Sequence, residues 1–184
     1  MAFKAYLNSK FNTTHENQIF DELIKRLHAK YKDSSDSVAL LGNFFYNNRD
    51  IDAMILKPDG VIIIDFKDYG GKIKYSENGV WTADNKPIKG GSFTNPFTQL
   101  RASRNCIANF FKTHKEDIFT GSKTVSYYDL YCLVMFHQNV TLENSLPPET
   151  RKWFFVSDIN NIAQASYQIT NSELNLEAEE IEKV

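Results

Sequence analysis

Apolar side chains recur at helical spacing near the start of the chain. They are Ile19, Phe20, Leu23, Leu27 and Tyr31. Residues three or four positions apart lie on one face of a helix, so the pattern predicts an amphipathic helix over residues 14–32. Thr13 followed three residues later by Glu16 is a capping-box pattern, which is typical of a helix start. The polar run at 32–37 then predicts a loop.

Two short apolar runs follow at 51–57 and 61–67, on either side of Pro58-Asp59-Gly60. Asp-Gly between strand-like runs is a strong hairpin signal, so these runs predict two antiparallel strands. Glycine-containing turns then predict a third strand at about 71–76 and another near Val80-Trp81.

A second helix is predicted from Asn95-Pro96 to about His114. Asn is a good N-cap, and Pro suits the first helical position because its φ is already helical. The apolar positions on this helix are Leu100, Ile107, Phe110 and Phe111. Later strands are predicted at 127–137 and 153–157, separated by a Pro147-Pro148 loop. This order of elements predicts an α/β fold with a mixed central sheet flanked by helices.

The composition is that of a soluble globular domain of 184 residues, with 42% apolar and 24% charged residues. No apolar run is long enough to predict a membrane span, and no apolar signal core follows Met1, so we expect a cytoplasmic protein. Cys106 and Cys132 lack metal-ligand spacing and stand among apolar residues. We therefore expect two reduced, buried thiols.

The charge is unevenly distributed along the chain. The formal net charge is −2, from 21 basic and 23 acidic residues. From Glu173 onward the chain carries five acids and only Lys183 as a base, so the preceding body has a net charge of +2. A slightly basic body is compatible with a polyanionic partner but does not require one.

The predicted hairpin brings charged residues together. Side chains alternate along a strand, so Asp65 and Lys67 point to the same face. With Asp59-Gly60 as a two-residue turn, Asp52 faces Lys67 and Met54 faces Asp65, which places both carboxylates and the lysine on one face. A turn longer by one residue would send Asp52 to the opposite face.

Two carboxylates beside a lysine suit metal-dependent phosphodiester hydrolysis. Mg²⁺ (or Mn²⁺) prefers hard oxygen ligands, which Asp52, Asp65 and the backbone carbonyl of Phe66 would supply. Lys67 would orient the attacking water or stabilise charge on the phosphate. Charged residues at strand ends are often merely solvated. The hydrolytic interpretation is favoured because the buried run 61–64 leads directly into Asp65.

These segments resemble the nuclease-related domain (NERD) family of the PD-(D/E)XK nuclease superfamily. The resemblance is carried by Ile51-Asp52-Ala53-Met54-Ile55 and by the run from Gly60 to Ile73. Trp81 and the helix start Asn95-Pro96-Phe97-Thr98-Gln99 match later landmarks of the family. The match covers roughly residues 14–137.

The resemblance implies roles for Glu16 as an additional acidic site residue and for Gln99 as a helper. Glu16 also has a structural alternative, since it would close the capping box with Thr13, and Gln99 could be plain helix surface. Asp50 shares the predicted face of Asp52 and is either a substitute ligand or a rim residue. Asp65 departs from the family, in which Glu is commoner, and its shorter side chain would alter the metal position.

Basic residues provide candidate nucleic-acid contacts. Arg101, Arg104 and Lys112 lie at helical spacings along the second helix, and Lys72 lies in the preceding strand region. Such a basic stripe would follow a phosphate backbone. A solvated helix face explains the stripe equally well.

The resemblance implies a restriction-endonuclease-like core and a metal-dependent nuclease that hydrolyses DNA. The alternative is a catalytically weak module that recruits nucleic acid. We expect a nuclease domain at 1–172 and an acidic helix or linker at 173–184 that leads to a further domain. The family habit implies a fused or associated helicase, other ATPase or kinase module, with a role in DNA processing or antiviral defence.

Overall fold

The computed structural model describes residues 3–184. The strands are β1 (Phe3–Leu7), β2 (Val38–Tyr46), β3 (Arg49–Lys57), β4 (Gly60–Lys67), β5 (Gly71–Tyr75), β6 (Trp81–Ala83), β7 (Lys86–Ile88), β8 (Leu130–Phe136), β9 (Val140–Asn144) and β10 (Phe154–Asp158). The helices are α1 (Thr14–Tyr31), α2 (Pro96–Thr113), α3 (Lys115–Ile118), α4 (Ile162–Gln168) and α5 (Ala178–Lys183). Short 3₁₀ turns lie at Tyr127–Asp129 and Thr150–Lys152.

The central sheet has the strand order β1-β2-β3-β4-β8-β10. β3 is antiparallel to both β2 and β4, whereas β8 is parallel to both β4 and β10, and β1 is parallel to β2. A hydrophobic core lies on each face of the sheet, with α1 and α4 packed in one and α2 in the other. The predicted α/β fold with a mixed central sheet flanked by helices is therefore confirmed.

Capping contacts confirm both predicted helix starts. The Thr13 hydroxyl accepts a hydrogen bond from the Glu16 N–H at 3.3 Å. The Asn95 side chain accepts one from the Thr98 N–H at 2.8 Å, and Pro96 occupies the first position of α2. Each cap satisfies a backbone donor that has no partner within its helix, and so fixes where the helix begins.

The β3–β4 hairpin forms, but its turn differs from the predicted one. Lys57 pairs with Gly60, so the turn residues are Pro58 and Asp59 rather than Asp59 and Gly60. The Lys57 ammonium contacts the Asp59 carboxylate across this turn. Proline suits the first turn position because its φ is fixed.

The hairpin register consequently differs by two positions from the predicted one. Met54 pairs with Ile63, so the predicted placements of Met54 opposite Asp65 and of Asp52 opposite Lys67 are wrong. A shift of two positions leaves each side chain on its original face, because side chains alternate with a period of two. Asp52 and Asp65 therefore still share a face.

Several elements have no counterpart in the sequence prediction, namely β1, β2, β7, β9 and α4. β2 escapes the pattern because it is a nearly unbroken apolar run without alternation, as expected for a strand between two cores. The acidic helix predicted from Ser172 is the short α5, which begins only at Ala178.

A smaller sheet with the order β7-β6-β5-β9 continues from the ends of β4 and β8. Its inner face adds Ile73, Tyr75, Trp81 and Ile88 to the core. The Trp81 ring lies 5.1 Å from that of Tyr75 and 6.0 Å from that of Phe154, measured between ring centroids. These ring contacts join the small sheet to the last strand of the central sheet.

The two cysteines are buried and unpaired, as predicted. Burial raises the pKa of the Cys132 thiol to about 12. Within residues 3–184, no helix has the length and apolar character needed to cross a membrane.

Candidate active site

Asp52 lies where the central sheet begins to separate. The pairing of β3 with β4 ends at Ala53 and Ile64, one residue before Asp52 in the chain. The pairing of β3 with β2 also skips Asp52 and Asn43, and Asn43 has a left-handed φ of 47°. Asp52 Oδ2 accepts the Phe66 N–H at 2.7 Å. The Asp52 carboxylate therefore lies between the separating strands β3 and β4. There it accepts the Phe66 N–H, in place of a backbone carbonyl of β3.

Asp65 is the buried centre of the site, with only 3% of its side chain exposed. Its Oδ1 accepts a hydrogen bond from Gln99 Nε2 at 2.7 Å. Lys67 Nζ lies 2.7 Å from Asp65 Oδ2 and 3.4 Å from Gln99 Oε1. This buried oxygen is therefore held in an ion pair with Lys67.

The proximity of the two carboxylates changes their acidity. Burial, followed by the negative charge of Asp65, raises the pKa of Asp52 from 3.8 to about 7. The Phe66 N–H and the charge of Lys67 oppose this rise. Burial also raises the pKa of Asp65, against the opposing effect of Lys67. Burial is therefore the main reason that the ionised form of both carboxylates is disfavoured.

Glu16 lies at the start of α1, close enough for its charge to act on the site. After burial and the nearer groups, it makes a smaller contribution that raises the pKa values of Asp52 and Asp65. Its Oε2 accepts the hydroxyl hydrogen of Thr13 at 2.6 Å. The structure therefore contains the Thr13 contact of the capping alternative and also places a third negative charge near the carboxylate pair.

The donor set fits a hard divalent cation with few protein ligands. Asp65 supplies a buried carboxylate, and Asp52 supplies a second carboxylate on the same face. Across residues 3–184, no group of three or more His, Cys, Asp or Glu side chains is arranged to hold a metal. Two carboxylates with one backbone carbonyl match Mg²⁺, which retains several waters, better than a metal that needs a full protein cage.

Further polar residues line the same recess. Asp50 is an exposed residue at its rim, and Ser103 lies one turn after Gln99 on α2. The Ser103 hydroxyl donates to the Gln99 carbonyl at 3.3 Å. Ser103 was not predicted as a site residue, although its spacing of four residues from Gln99 places both on one helix face. His137, which follows β8, lies 3.7 Å from Glu22 and outside this recess.

The predicted nucleic-acid contacts differ in their exposure to solvent. Arg101 and Lys112 are exposed on α2, and Lys72 is exposed on β5, where it lies 2.7 Å from Glu143. Arg104 is only 3% exposed.

Arg104 stacks between two aromatic rings. Its guanidinium carbon lies 4.0 Å from the centroid of Tyr127 and 4.1 Å from that of Trp153. A cation enclosed in this way packs α2 against its neighbours and does not reach a phosphate backbone. The prediction for Arg104 is therefore corrected.

The comparisons with known proteins agree with this geometry. The model of the nuclease-related domain (NERD) family matches residues 12–137, which include the Asp52–Asp65–Lys67 site, Glu16 and Gln99. Comparison with curated proteins and with solved structures gives no match. Because the family model covers more than half of the chain, this protein belongs to the nuclease-related domain family.

Proposed function

We propose that this protein is a metal-dependent nuclease that hydrolyses DNA phosphodiester bonds with Mg²⁺ or Mn²⁺. The observation that carries the proposal is a pair of carboxylates on one face of the sheet, buried Asp65 and half-buried Asp52, beside Lys67. Two carboxylates that repel each other in a buried recess favour the binding of a divalent cation, because the cation supplies the missing positive charge.

Each side chain has a role in this proposal. Asp52 and Asp65 would hold the cation together with the Phe66 carbonyl, and the cation would supply Lewis-acid chemistry toward the phosphate and a water. Gln99 holds Asp65 through Oδ1, which leaves Oδ2 to Lys67 and to the cation.

With a cation offsetting the charge of Asp65, Lys67 would donate a hydrogen bond to the attacking water or to a phosphate oxygen. Hydrolysis joins the water oxygen to phosphorus and breaks the bond from phosphorus to one sugar oxygen. Glu16 supplies a third acidic group close to the carboxylate pair.

The proposed substrate is DNA, held through the exposed Arg101, Lys112 and Lys72. Positive side chains of this kind contact phosphates and do not read sequence. Family habit supports a fused or associated helicase, ATPase or kinase module and a role in defence against foreign DNA.

One observation favours a second candidate, a nucleic-acid-binding module with weak turnover. Lys67 already neutralises Asp65 at 2.7 Å, and the described part of the chain has no cluster of three metal-binding side chains. A site closed in this way would bind a divalent cation weakly. Measured metal affinity therefore separates the two candidates.

The test uses supercoiled plasmid and linear single-stranded DNA, each with Mg²⁺, Mn²⁺ or EDTA. The Asp65→Ala/Lys67→Ala double variant removes the central ion pair. Its matched control is the Lys32→Ala/Asp33→Ala variant, which removes a pair whose side chains are 54% and 89% exposed. We expect metal-dependent cutting by the wild-type and control proteins but not by the site variant.

Cutting that persists in the folded site variant would refute the assignment of these residues. A folded wild-type protein that binds DNA but binds Mn²⁺ only weakly and cuts neither substrate would support the binding module instead.

A further inference from the structure

One strand of the central sheet contains a residue with a left-handed backbone. Among the described residues other than glycine, positive φ occurs at Asn43, Asn47, Asn48, Asp84 and Asn85. Four of these form the two-residue turns β2–β3 and β6–β7, where positive φ at both positions is the usual geometry. Asn43 differs because it lies inside β2, with φ of 47°. Outside turns, this conformation costs free energy and persists only where the surroundings hold it.

The Asn43 side chain holds this conformation by binding the segment that precedes α1. Its amide nitrogen Nδ2 lies 2.9 Å from the Ser9 carbonyl, 3.0 Å from the Lys10 carbonyl and 3.1 Å from the Ser9 hydroxyl. The preceding residue, Gly42, is closely packed, because a Cβ there would come within 2.3 Å of the Phe20 ring on α1. The backbone at Asn43 is therefore fixed both by its own side chain and by the packing of its neighbour.

Asn43 lies directly opposite Asp52 in the sheet. The residues on either side of Asn43 pair with β3, whereas Asn43 and Asp52 themselves form no ladder pair. A left-handed residue turns its peptide groups out of line with the neighbouring strand, so the ladder is interrupted at this position. Toward β4, the Asp52 carboxylate accepts the Phe66 N–H at 2.7 Å. The interruption in β2 therefore coincides with the residue of β3 whose side chain bridges to β4.

The segment bound by Asn43 leads into the start of α1. Phe11 in this segment is buried, and its ring lies 5.7 Å from that of Phe66, measured between centroids. The Asn17 side chain accepts the Phe11 N–H at 3.1 Å and donates to the Phe11 carbonyl at 2.9 Å. Glu16 immediately precedes Asn17 in the first turn of α1. A connected set of contacts thus leads from Asn43 to the third acidic residue near the carboxylate pair.

We infer that Asn43 is a positioning residue of the proposed metal site, which places Asp52 through its left-handed backbone and Glu16 through its side-chain amide. The inference rests on the proposed nuclease function and adds a residue that supports its acidic groups. Asn43 acts only through Asp52 and Glu16, and it takes no part in bond breaking.

Two substitutions separate the contributions of the backbone and of the amide. Asn43→Gly removes the amide but keeps a left-handed backbone without strain. Asn43→Ala removes the amide and also disfavours the left-handed backbone. The matched control is Asn85→Ala, which makes the same change at a residue with φ of 68° in the β6–β7 turn.

The test is amide hydrogen exchange, measured by NMR on the metal-free protein at one pH. The Phe66 N–H reports the contact with Asp52, and the Phe11 N–H reports the segment held by Asn43. The Ile62 N–H, in the part of β4 that is paired with β3, is the reference for global stability.

The two Asn43 variants should differ at Phe66 and agree at Phe11. In Asn43→Ala we expect exchange at Phe66, relative to Ile62, to rise about 5–30-fold, the factor that left-handed strain at one residue represents. In Asn43→Gly the same ratio should stay within about twofold of the wild-type value, because glycine adopts this φ freely. Exchange at Phe11 relative to Ile62 should rise in both variants, because both lack the amide.

Mn²⁺ binding, measured by calorimetry on the same proteins, gives a second readout. Loss of a residue that orients a metal ligand weakens the affinity by about 10–100-fold, which we expect for Asn43→Ala. Asn43→Gly should bind Mn²⁺ more tightly than Asn43→Ala, because Asp52 keeps its place. The Asn85→Ala control should keep the wild-type affinity and the wild-type exchange ratios.

The inference is overturned if exchange at Phe66 in Asn43→Ala rises no more than exchange at Ile62, because Asn43 would then serve only overall stability. Faster exchange at Phe66 in the Asn85→Ala control, or an unchanged Mn²⁺ affinity in Asn43→Ala, also overturns it. If Asn43→Ala does not fold, Asn43→Gly still decides: unchanged exchange at Phe11, or exchange at Phe66 that rises as much as at Phe11, contradicts the assignment.

The proposed function is judged separately, by plasmid cutting with Mg²⁺. A wild-type protein that cuts plasmid, while Asn43→Ala keeps the wild-type exchange ratios, would leave the nuclease standing and remove the role of Asn43. A wild-type protein that binds no Mn²⁺ and cuts nothing would remove the nuclease, whereas the exchange ratios would still decide whether Asn43 places Asp52 and Glu16.

Discussion

Replacement of Asp52 by Asn should stabilise the metal-free protein at neutral and alkaline pH. Asn keeps an oxygen that accepts the Phe66 N–H, which lies 2.7 Å from Asp52 Oδ2. It removes the charge that burial and Asp65 oppose. The substitution therefore measures the free-energy cost of the Asp52 charge while the packing of the side chain stays nearly the same.

The magnitude follows from the pKa of Asp52, which rises from its ordinary value of 3.8 to about 7 in the folded protein. Between these values the folded state holds about one proton more than the unfolded state, so the free energy of unfolding falls as pH rises, by about 1.4 kcal/mol per pH unit. Between pH 5 and pH 8 the wild-type protein should lose about 2–3 kcal/mol relative to Asp52→Asn. For a chain of this size, that corresponds to about 5–10 °C in Tm.

The assay is urea unfolding in EDTA at several pH values from 5 to 8, with Asp33→Asn as the control. The Asp33 side chain is 89% exposed, so its substitution should leave the pH dependence unchanged. Saturating Mn²⁺ should offset much of the advantage of Asp52→Asn at pH 8, since a ligand at 100 times its Kd adds about 2.7 kcal/mol to the wild-type protein alone. The reasoning is refuted if Asp52→Asn is no more stable than wild type at pH 8, or if its advantage is as large at pH 5 as at pH 8.

Two other substitutions probe the support of the site. Gln99→Ala removes the amide donor that lies 2.7 Å from Asp65 Oδ1. We expect Mn²⁺ binding, measured by calorimetry, to weaken by about 10–100-fold. An unchanged Mn²⁺ affinity would contradict the role of Gln99. Arg104→Ala should cost about 2–4 kcal/mol in urea unfolding, because two ring contacts and a buried side chain are lost. The slope of log DNA affinity against log salt concentration should match that of the wild-type protein. A slope lowered by about 0.9, with unchanged stability, would instead identify Arg104 as a phosphate contact.

The sequence determined the local parts of this protein. Helical periodicity and caps at Thr13 and Asn95 located both long helices to within a residue or two, since these signals depend on neighbouring residues. The alternation along the 61–67 run also placed Asp65 and Lys67 on one face.

The position of Asp52 illustrates where local pattern reached its limit. The predicted register was wrong by two positions, yet Asp52 stayed on the face of Asp65, because strand geometry repeats every two residues. A register error of two residues leaves the predicted face of each side chain correct. The same error makes every predicted cross-strand partner wrong. The hydrogen bond from the Phe66 N–H to Asp52 Oδ2 could not be predicted from the sequence, because it depends on where β3 and β4 separate.

Tertiary structure alone decided the parts that depend on contacts between distant segments. From the sequence, Gln99 and Arg104 were both polar residues of the second helix with predicted site contacts. In the folded protein Gln99 contacts Asp65, whereas Arg104 is enclosed between Tyr127 and Trp153. The raised pKa of Asp52 likewise arises from burial and a second carboxylate brought by another strand. Helix periodicity specifies which residues share a face, but the chemistry of that face depends on what packs against it.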